Sequence, residues 1–233
     1  MGTQVQFNLP EISGDYITSH EAAYHRLRNA LMVGAIAPGT PMRIRALAQY
    51  LSISPTPVRE ALRRLSSESA LQVLDNRRII VPLMSAGRFD ELILLRVKLE
   101  CLAAERALPF VSQVLIEQLA SIDADMDKAV NGQNYDALAV LNQQFHSILY
   151  QANPHQSAMP LIESVWLQLG PFQRQVIDKI MDYYLVDHHK TIVGALWKRD
   201  QKALCISIRA DIIEGIGRAG DEVLKPITSK KRA

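Results

Sequence analysis

The chain is poor in cysteine, with only Cys101 and Cys205 in 233 residues. Both lie inside apolar helical patterns and far apart in sequence, so neither a disulfide framework nor a thiolate metal site is expected, and buried free thiols are. Long apolar runs are missing too. None approaches the roughly 20 residues that span a bilayer, and the opening MGTQVQFNLPEISGDY has neither the basic nor the apolar region of a secretory leader. An intracellular, cytoplasmic protein is expected. Net charge is only +2, but it is unevenly spread. Residues 15–84 carry nine Arg/Lys against five Asp/Glu, whereas residues 85–225 carry fourteen against eighteen. A basic segment before an acidic one suits a nucleic-acid-binding module joined to a unit that does not bind nucleic acid.

What is present is 48% apolar residues, ample for one large or two smaller cores. The most informative stretch is Leu47–Leu65, LAQYLSISPTPVREALRRL. Leu47, Ala48 and Leu51 share one helical face, and Val58, Ala61, Leu62 and Leu65 share another beyond a Ser-x-Ser-Pro turn. Ser54 suits the cap of the second helix, Pro55 suits its first position, and Glu60 lies near its positive end. Thr56, Arg59, Arg63 and Arg64 are left over from the core face, with hydroxyl and guanidinium groups able to reach phosphates and base edges. The alternative is an ordinary helical hairpin with a solvated basic face.

Residues 1–17 show no sustained period and read as an N-terminal arm. From Ser19, SHEAAYHRLRNALMVGAI sets Ala23, Leu27, Ala30, Leu31 and Val33 in a helical stripe behind a Ser-based cap. Ala37-Pro-Gly-Thr-Pro41 forces a turn, and the hairpin begins near Arg43. After Leu65 the period changes. Leu71 and Val73, then Ile79, Ile80 and Val81, read as two short strands joined through Asp75, Asn76, Arg77 and Arg78. Three helices and a basic β-hairpin make a winged helix-turn-helix over residues 18–84, with its second hairpin helix in a major groove and its wing on neighbouring DNA.

PGTPMRIRALAQYLSISPTPVREALRRL resembles the GntR family of bacterial transcription regulators, most specifically in PVREAL. The resemblance covers about Ser19 to Leu83. It implies DNA contacts by Arg45 of the second helix, by Ser54, Thr56 and Arg59 of the recognition helix, and by Asn76 and Arg77 of the wing. Arg63 and Arg78 are further candidates. Two positions depart from the family pattern. Pro55 stands where relatives usually have Arg, and Arg77-Arg78 replaces the usual Arg-Gly at the wing tip, so a familiar operator sequence does not carry over.

From Ser85 to about Val223 every sizeable segment reads as helix, with breaks at Pro109, Asn131-Gly132, Asn153-Pro154, Gly170-Pro171 and Lys198 to Asp200. Five or six antiparallel helices make a bundle over residues 85–225, large enough for an interior cavity, followed by a basic tail at 226–233. The fold class is therefore mainly α. Asn142 and His146 lie at i and i+4 on one face; His188-His189 opens a later helix; and Asp211 lies on the last long helix. Spacing alone leaves structural histidines and a metal site both open. The segment from Arg88 onward resembles the FCD effector domain of the FadR-type GntR branch. That resemblance implies a divalent-metal site at Asn142, His146, His189 and Asp211, two of the four differing in type from the family's Asp and His. Two imidazoles, a carboxylate and an amide still suit zinc, nickel or manganese. Arg96 matches a common position of these domains and, with Arg174, is a candidate partner for an effector carboxylate, although either could equally form a surface salt bridge. Trp166, Phe172, Tyr183 and Tyr184 read as core or interface.

The function expected is a homodimeric, ligand-responsive transcription regulator, a repressor released from its double-stranded operator by a small organic acid bound in the helical domain. The rival is a metal-dependent hydrolytic enzyme using His146, His189 and Asp211 to activate water. Against it stand the shortage of acid or base residues at recognisable spacing and the lack of a nucleophile motif.

Overall fold

The computed structural model describes residues 18–183 and 187–225, with side chains from 178 to 186 left aside. The expected arm at 1–17, the tail at 226–233, Tyr184 and the Tyr183 side chain lie outside the described residues. Helix α1 spans Ser19–Met32 and is capped by Thr18, whose hydroxyl accepts from the Glu21 amide. The cap is one residue earlier than expected at Ser19, because the extended backbone of Thr18 aims its oxygen at the first turn. Helices α2 (Ile44–Leu51) and α3 (Pro55–Ser67) form the hairpin. Ser52 takes the left-handed conformation between them, φ 56°. Ser54 occupies the N-cap with Pro55 in the first turn, but its side chain makes no capping hydrogen bond, so the start rests on the proline's fixed φ.

Strands β1 (Gln72–Val73) and β2 (Ile79–Ile80) pair antiparallel, Gln72 opposite Ile80 and Val73 opposite Ile79. The expected tip residues turn the chain, Arg77 at φ 61° and the Arg78 amide donating to Asn76 Oδ1 at 3.1 Å. Ile80 also bridges to Pro41, which ties the wing to the turn before α2.

The bundle follows as α4 (Ala86–Ala107), α5 (Gln113–Asn131), α6 (Tyr135–Gln151), α7 (Met159–Tyr183), α8 (His188–Lys198), α9 (Gln201–Ile212) and α10 (Arg218–Leu224). Side chains of Ser85, Ser112, Asn134, Asp187 and Asp200 cap the starts of α4, α5, α6, α8 and α9. Two features depart from expectation. The last long helix is broken by a π turn at Ile213–Gly217, where Gly215 leaves helical geometry at φ −78°, ψ −107°. And α7 runs straight through Gly170-Pro171. Proline removes one helical hydrogen bond, but Leu167, Leu169 and Phe172 around it are buried, and their packing carries the helix across the gap.

Gly170 has a different task. A Cβ there would sit 2.2 Å from the Leu31 carbonyl oxygen, and one on Gly34, at φ 75°, would sit 2.6 Å from the Gly170 oxygen. The end of α1 thus rests backbone to backbone on the middle of α7. Around this seam, Arg28 of α1 pairs with Glu163 of α7 at 3.0 Å, and Arg88 of α4 donates to the Ser69 carbonyl and to Gln168. No helix among the described residues is long and apolar enough to cross a membrane. Gly170→Ala is expected to lower the urea or thermal midpoint by the equivalent of about 1–3 kcal/mol, since overpacking here meets backbone that cannot rotate away. An unchanged midpoint would show that the seam is not closely packed in solution.

Candidate functional site

On the winged helix, Arg45, Ser54, Thr56, Arg59, Arg63, Asn76, Arg77 and Arg78 are all exposed. Thr56, Arg59 and Arg63 share the outer face of α3, while its inner face is buried through Val58, Ala61, Leu62 and Leu65. Arg45, Arg59, Arg77 and Arg78 make no ion pair among the described residues. Arg63 pairs with Glu60 at 3.0 Å in a solvated contact that costs little to break. Arg64, also exposed, is folded back over Tyr24 instead. Its guanidinium lies 3.6 Å from the Tyr24 ring centroid and bonds Glu68, which also accepts from the Tyr24 hydroxyl. Burial and that bond push the Tyr24 hydroxyl up to about 12, so it stays protonated.

The bundle holds a cavity of about 370 Å³ that opens to solvent on one side. Arg96, Asn142, His189 and Asp211 all line it, together with Asp123, Asp187 and Lys190. His146, His189 and Asp211 come together from α6, α8 and α9 with one ligand atom each within 4.8 Å of the others. His146 Nε2 lies 3.1 Å from Asp211 Oδ2, and His189 Nε2 lies 3.1 Å from Asn142 Oδ1 and 3.8 Å from Asp211 Oδ1. Residues from three separate helices therefore meet at one place. His188, one position from His189, points away and bonds Glu214 at 2.8 Å.

Behind the cluster lies a polar chain that begins at Glu100, fully buried on α4. Its Oε1 accepts from Arg96 Nε at 2.6 Å and from Trp166 Nε1 at 2.8 Å, and its Oε2 accepts from the Tyr150 hydroxyl at 2.8 Å. Burial and the Glu100 charge push Tyr150 well up, so the phenol keeps its one proton and gives it to Glu100. The same oxygen lies 3.1 Å from His146 Nδ1 and can only accept there. His146 Nδ1 is therefore the donor in this contact, and Nε2 faces Asp211 Oδ2. Nε2 is buried and has no hydrogen-bond partner among the described residues, for although Asp211 is close, the approach is not aligned for a hydrogen bond.

Charge follows from the same surroundings. Burial would raise the Asp211 carboxyl, but His189, His146 and Arg96 outweigh it and hold it well below the usual carboxylate range. Burial lowers His189, which favours neutral imidazole. Two imidazoles and a carboxylate bring one ligand atom each within 4.8 Å of the others, and His146 Nε2 is buried among them without a hydrogen-bond partner in the described residues, a donor set that a divalent cation would complete. The residues present thus fit a metal.

Arg96 lines the cavity: Nε is tied to Glu100, and its terminal nitrogens make no hydrogen bond among the described residues. Arg174 does not reach it. It lies one position past cavity-lining Gln173, about 100° further round α7, and pairs with Asp136 at 3.1 Å in a partly exposed contact. Sequence reasoning also missed Glu100, Asp123, Asp187 and Tyr150. A signal existed for two of them, because Glu100 and Asp123 occupy positions in otherwise apolar helical stripes. Asp123 is buried among Ile116, Leu119 and Met126, and its carboxyl is pushed up to about 6 by burial and by neighbouring Asp187. The two cysteines, distant in sequence, meet where α4 crosses α9, with Cys101 Sγ 3.5 Å from the Cys205 carbonyl. Burial pushes the Cys101 thiol up to about 11, so it stays a thiol.

Residues 19–81 match the model of bacterial regulatory proteins of the gntR family, and residues 91–212 match the FCD domain. The chain belongs to the gntR family. This GntR protein is 28% identical over 195 residues to the HTH-type transcriptional regulator McbR of Escherichia coli, covering 81% of this chain and 86% of that one. It is 26% identical over 186 residues to the E. coli repressor RspR, covering 79% and 82%. With the gluconate operon repressor of Bacillus subtilis it shares 24% identity over 194 residues, covering 79% and 78%. Among solved structures, E. coli McbR/YncC superposes with a TM-score of 0.81 at 22% identity, over 89% of this chain and all of that one. A GntR regulator from Rhodococcus gives 0.69 at 20% identity, over 86% and 96%; both likenesses concern the fold. The chain is thus a helix-turn-helix transcription regulator with an FCD effector domain. Its families and relatives are regulators and not enzymes, so the hydrolytic alternative has no support.

Proposed function

We propose that this regulator binds a pseudo-palindromic operator in the cytoplasm as a homodimer, acts as a repressor, and is released when a small carboxylate-bearing effector enters the FCD cavity over a divalent metal. The observation that carries the effector half is that His189, Asp211 and Arg96 open together into one chamber, with His146 buried directly behind them. The three residues, with Asn142 beside them, would hold zinc, nickel or manganese, and the ion would act as a Lewis acid toward the carboxylate. Arg96 supplies directional donors to the same group. A carboxamide at Asn142 binds a cation less firmly than a carboxylate would.

Coupling to DNA has a physical route. Between cluster and winged helix lies a void of about 20 Å³ lined by Met32 and Val33 from the end of α1 and by Arg96, Asn142, Gln143 and His146. Filling the cavity changes the packing of α6 and α7, on which α1 rests. An inducer must prefer the arrangement whose recognition helices fit the operator poorly.

The dimer reading is supported by an exposed apolar face. Leu95 and Leu102 on α4, and Ile206 and Ile213 beyond it, are each spaced seven apart and exposed by 39% to 58%. The Cys101 and Cys205 contact sets the two rows side by side. Exposed apolar rows of this kind suit an interface with a second copy. Leu102→Glu is expected to shift sedimentation toward monomer and to weaken operator binding with it; a fully dimeric variant would move the interface elsewhere.

Arg59→Ala is expected to weaken operator affinity at least about tenfold and flatten its salt dependence by roughly one unit of slope, read by fluorescence anisotropy, with the fold retained. Unchanged affinity in the folded variant would remove Arg59 from the DNA surface. Elemental analysis should find one divalent ion per chain, lost in Asp211→Ala. Metal at about 100 times its dissociation constant should stabilise the parent by about 2.7 kcal/mol in thermal melts and leave the variant unmoved. Equal responses of the two proteins would place any ion outside this cluster.

A further inference from the structure

Four carboxylates line the cavity, Asp123, Asp127, Asp187 and Asp211, against two cations, Arg96 and Lys190. The lysine is already committed, with its ammonium 2.6 Å from Asp187 and 2.8 Å from Asp127. Asp211 faces the two imidazoles. Asp123 is different. Its residue is 95% buried at 5% exposure, it lines the cavity, and it makes no hydrogen bond or ion pair among the described residues. A buried carboxylate without a partner is costly, so a ligand that brings a cationic donor to it gains what the apo chain lacks.

The distance between this acid and the metal-type cluster is short. Asp123, Asp187 and His189 have ligand atoms within 4.8 Å of one another, and so do His146, His189 and Asp211. The two sets share His189 and so stand about one imidazole ring apart. Beyond them the wall is apolar, formed by Met126, Val130, Leu138, Ile177 and Ile216. Dicarboxylates suit this arrangement poorly, because their second charge would meet Asp123 and Asp187.

We propose that the effector is an α-amino acid with an apolar side chain, its carboxylate directed to Arg96 and the histidine cluster and its ammonium to Asp123 beside Asp187. The proposal rests on the reading of the cavity as the effector site and adds the chemical class of the ligand. Its side chain lies along Met126, Leu138 and Ile216. Asp123 sets the preference for nitrogen over oxygen or hydrogen on the α-carbon, since only an ammonium neutralises the local excess of negative charge.

Calorimetric titration of the full chain, loaded with zinc, tests this with matched probes: leucine, its hydroxy-acid analogue and its deaminated acid, and the same trio on the phenylalanine skeleton. The amino acid of at least one trio is expected to bind at least about tenfold more tightly than the other two members. Asp123→Asn, nearly the same shape, should erase that preference while leaving the weaker binding of the deaminated acid unchanged. If the hydroxy or deaminated acid binds as tightly as the amino acid, or if Asp123→Asn leaves the preference intact, the assignment is overturned and the effector cavity stands. Absence of binding by every probe also overturns it, and operator release by other carboxylates then decides separately whether the cavity is the effector site. A second equivalent of bound zinc that Asp123→Asn removes would make Asp123 an ion ligand and overturn it as well.

Discussion

The buried carboxylate of Glu100 orders the interior of the effector domain. A charge removed from water costs several kcal/mol unless it is well paired, and here Arg96, Trp166 and Tyr150 donate to its two oxygens. That pairing has directional consequences. Because the tyrosine proton goes to Glu100, His146 must hold a proton on Nδ1, and its other nitrogen faces Asp211 at 3.1 Å. One carboxylate, separated from the cluster by Tyr150 alone, thus orients the His146 ring toward Asp211. It also holds Arg96 by one nitrogen so that the rest of the guanidinium is left to the cavity.

The second organising constraint is steric. Gly34 and Gly170 let α1 approach α7 so closely that neither position tolerates a methyl group without movement of backbone. The reading head is consequently supported by the helix that also supplies Trp166 to the Glu100 network and Gln173 to the cavity wall. Helix α6 adds Asn142 and His146 on one side and Gln143, near Met32, on the other. Packed interiors transmit displacement poorly by compression and well by rearrangement, which suits a regulator that must alternate between two arrangements.

Much of this was legible in the residues. The helical stripes of α1, α2 and α3, the proline start of α3 and the Asp75–Arg78 turn are local, so periodicity and turn chemistry located them to within a residue or two. Asn142, His146, His189 and Asp211 also met, although only resemblance had singled out that combination. Errors arose where a nonlocal contact overruled a local preference. Gly170-Pro171 reads as a break until α1 is seen lying against it, and the choice left open for Arg174 between cavity and surface salt bridge falls to Asp136 only through its place on α7. Asp123 and Glu100 were visible as charges within apolar stripes, but periodicity alone does not separate a buried site from a solvated interruption.

By itself the sequence determined the elements, the division into a basic reading head and an acidic helical domain, and the family, because these depend on short-range pattern and side-chain type. The tertiary structure alone decided the contact of His146 with Tyr150 and Asp211, the unpartnered state of Asp123, the meeting of Cys101 with Cys205 and the glycine seam. Each of those depends on which atoms from distant helices share a few ångströms of space from which water is excluded. There, hydrogen-bond direction and uncompensated charge acquire consequences that they do not have along an extended chain.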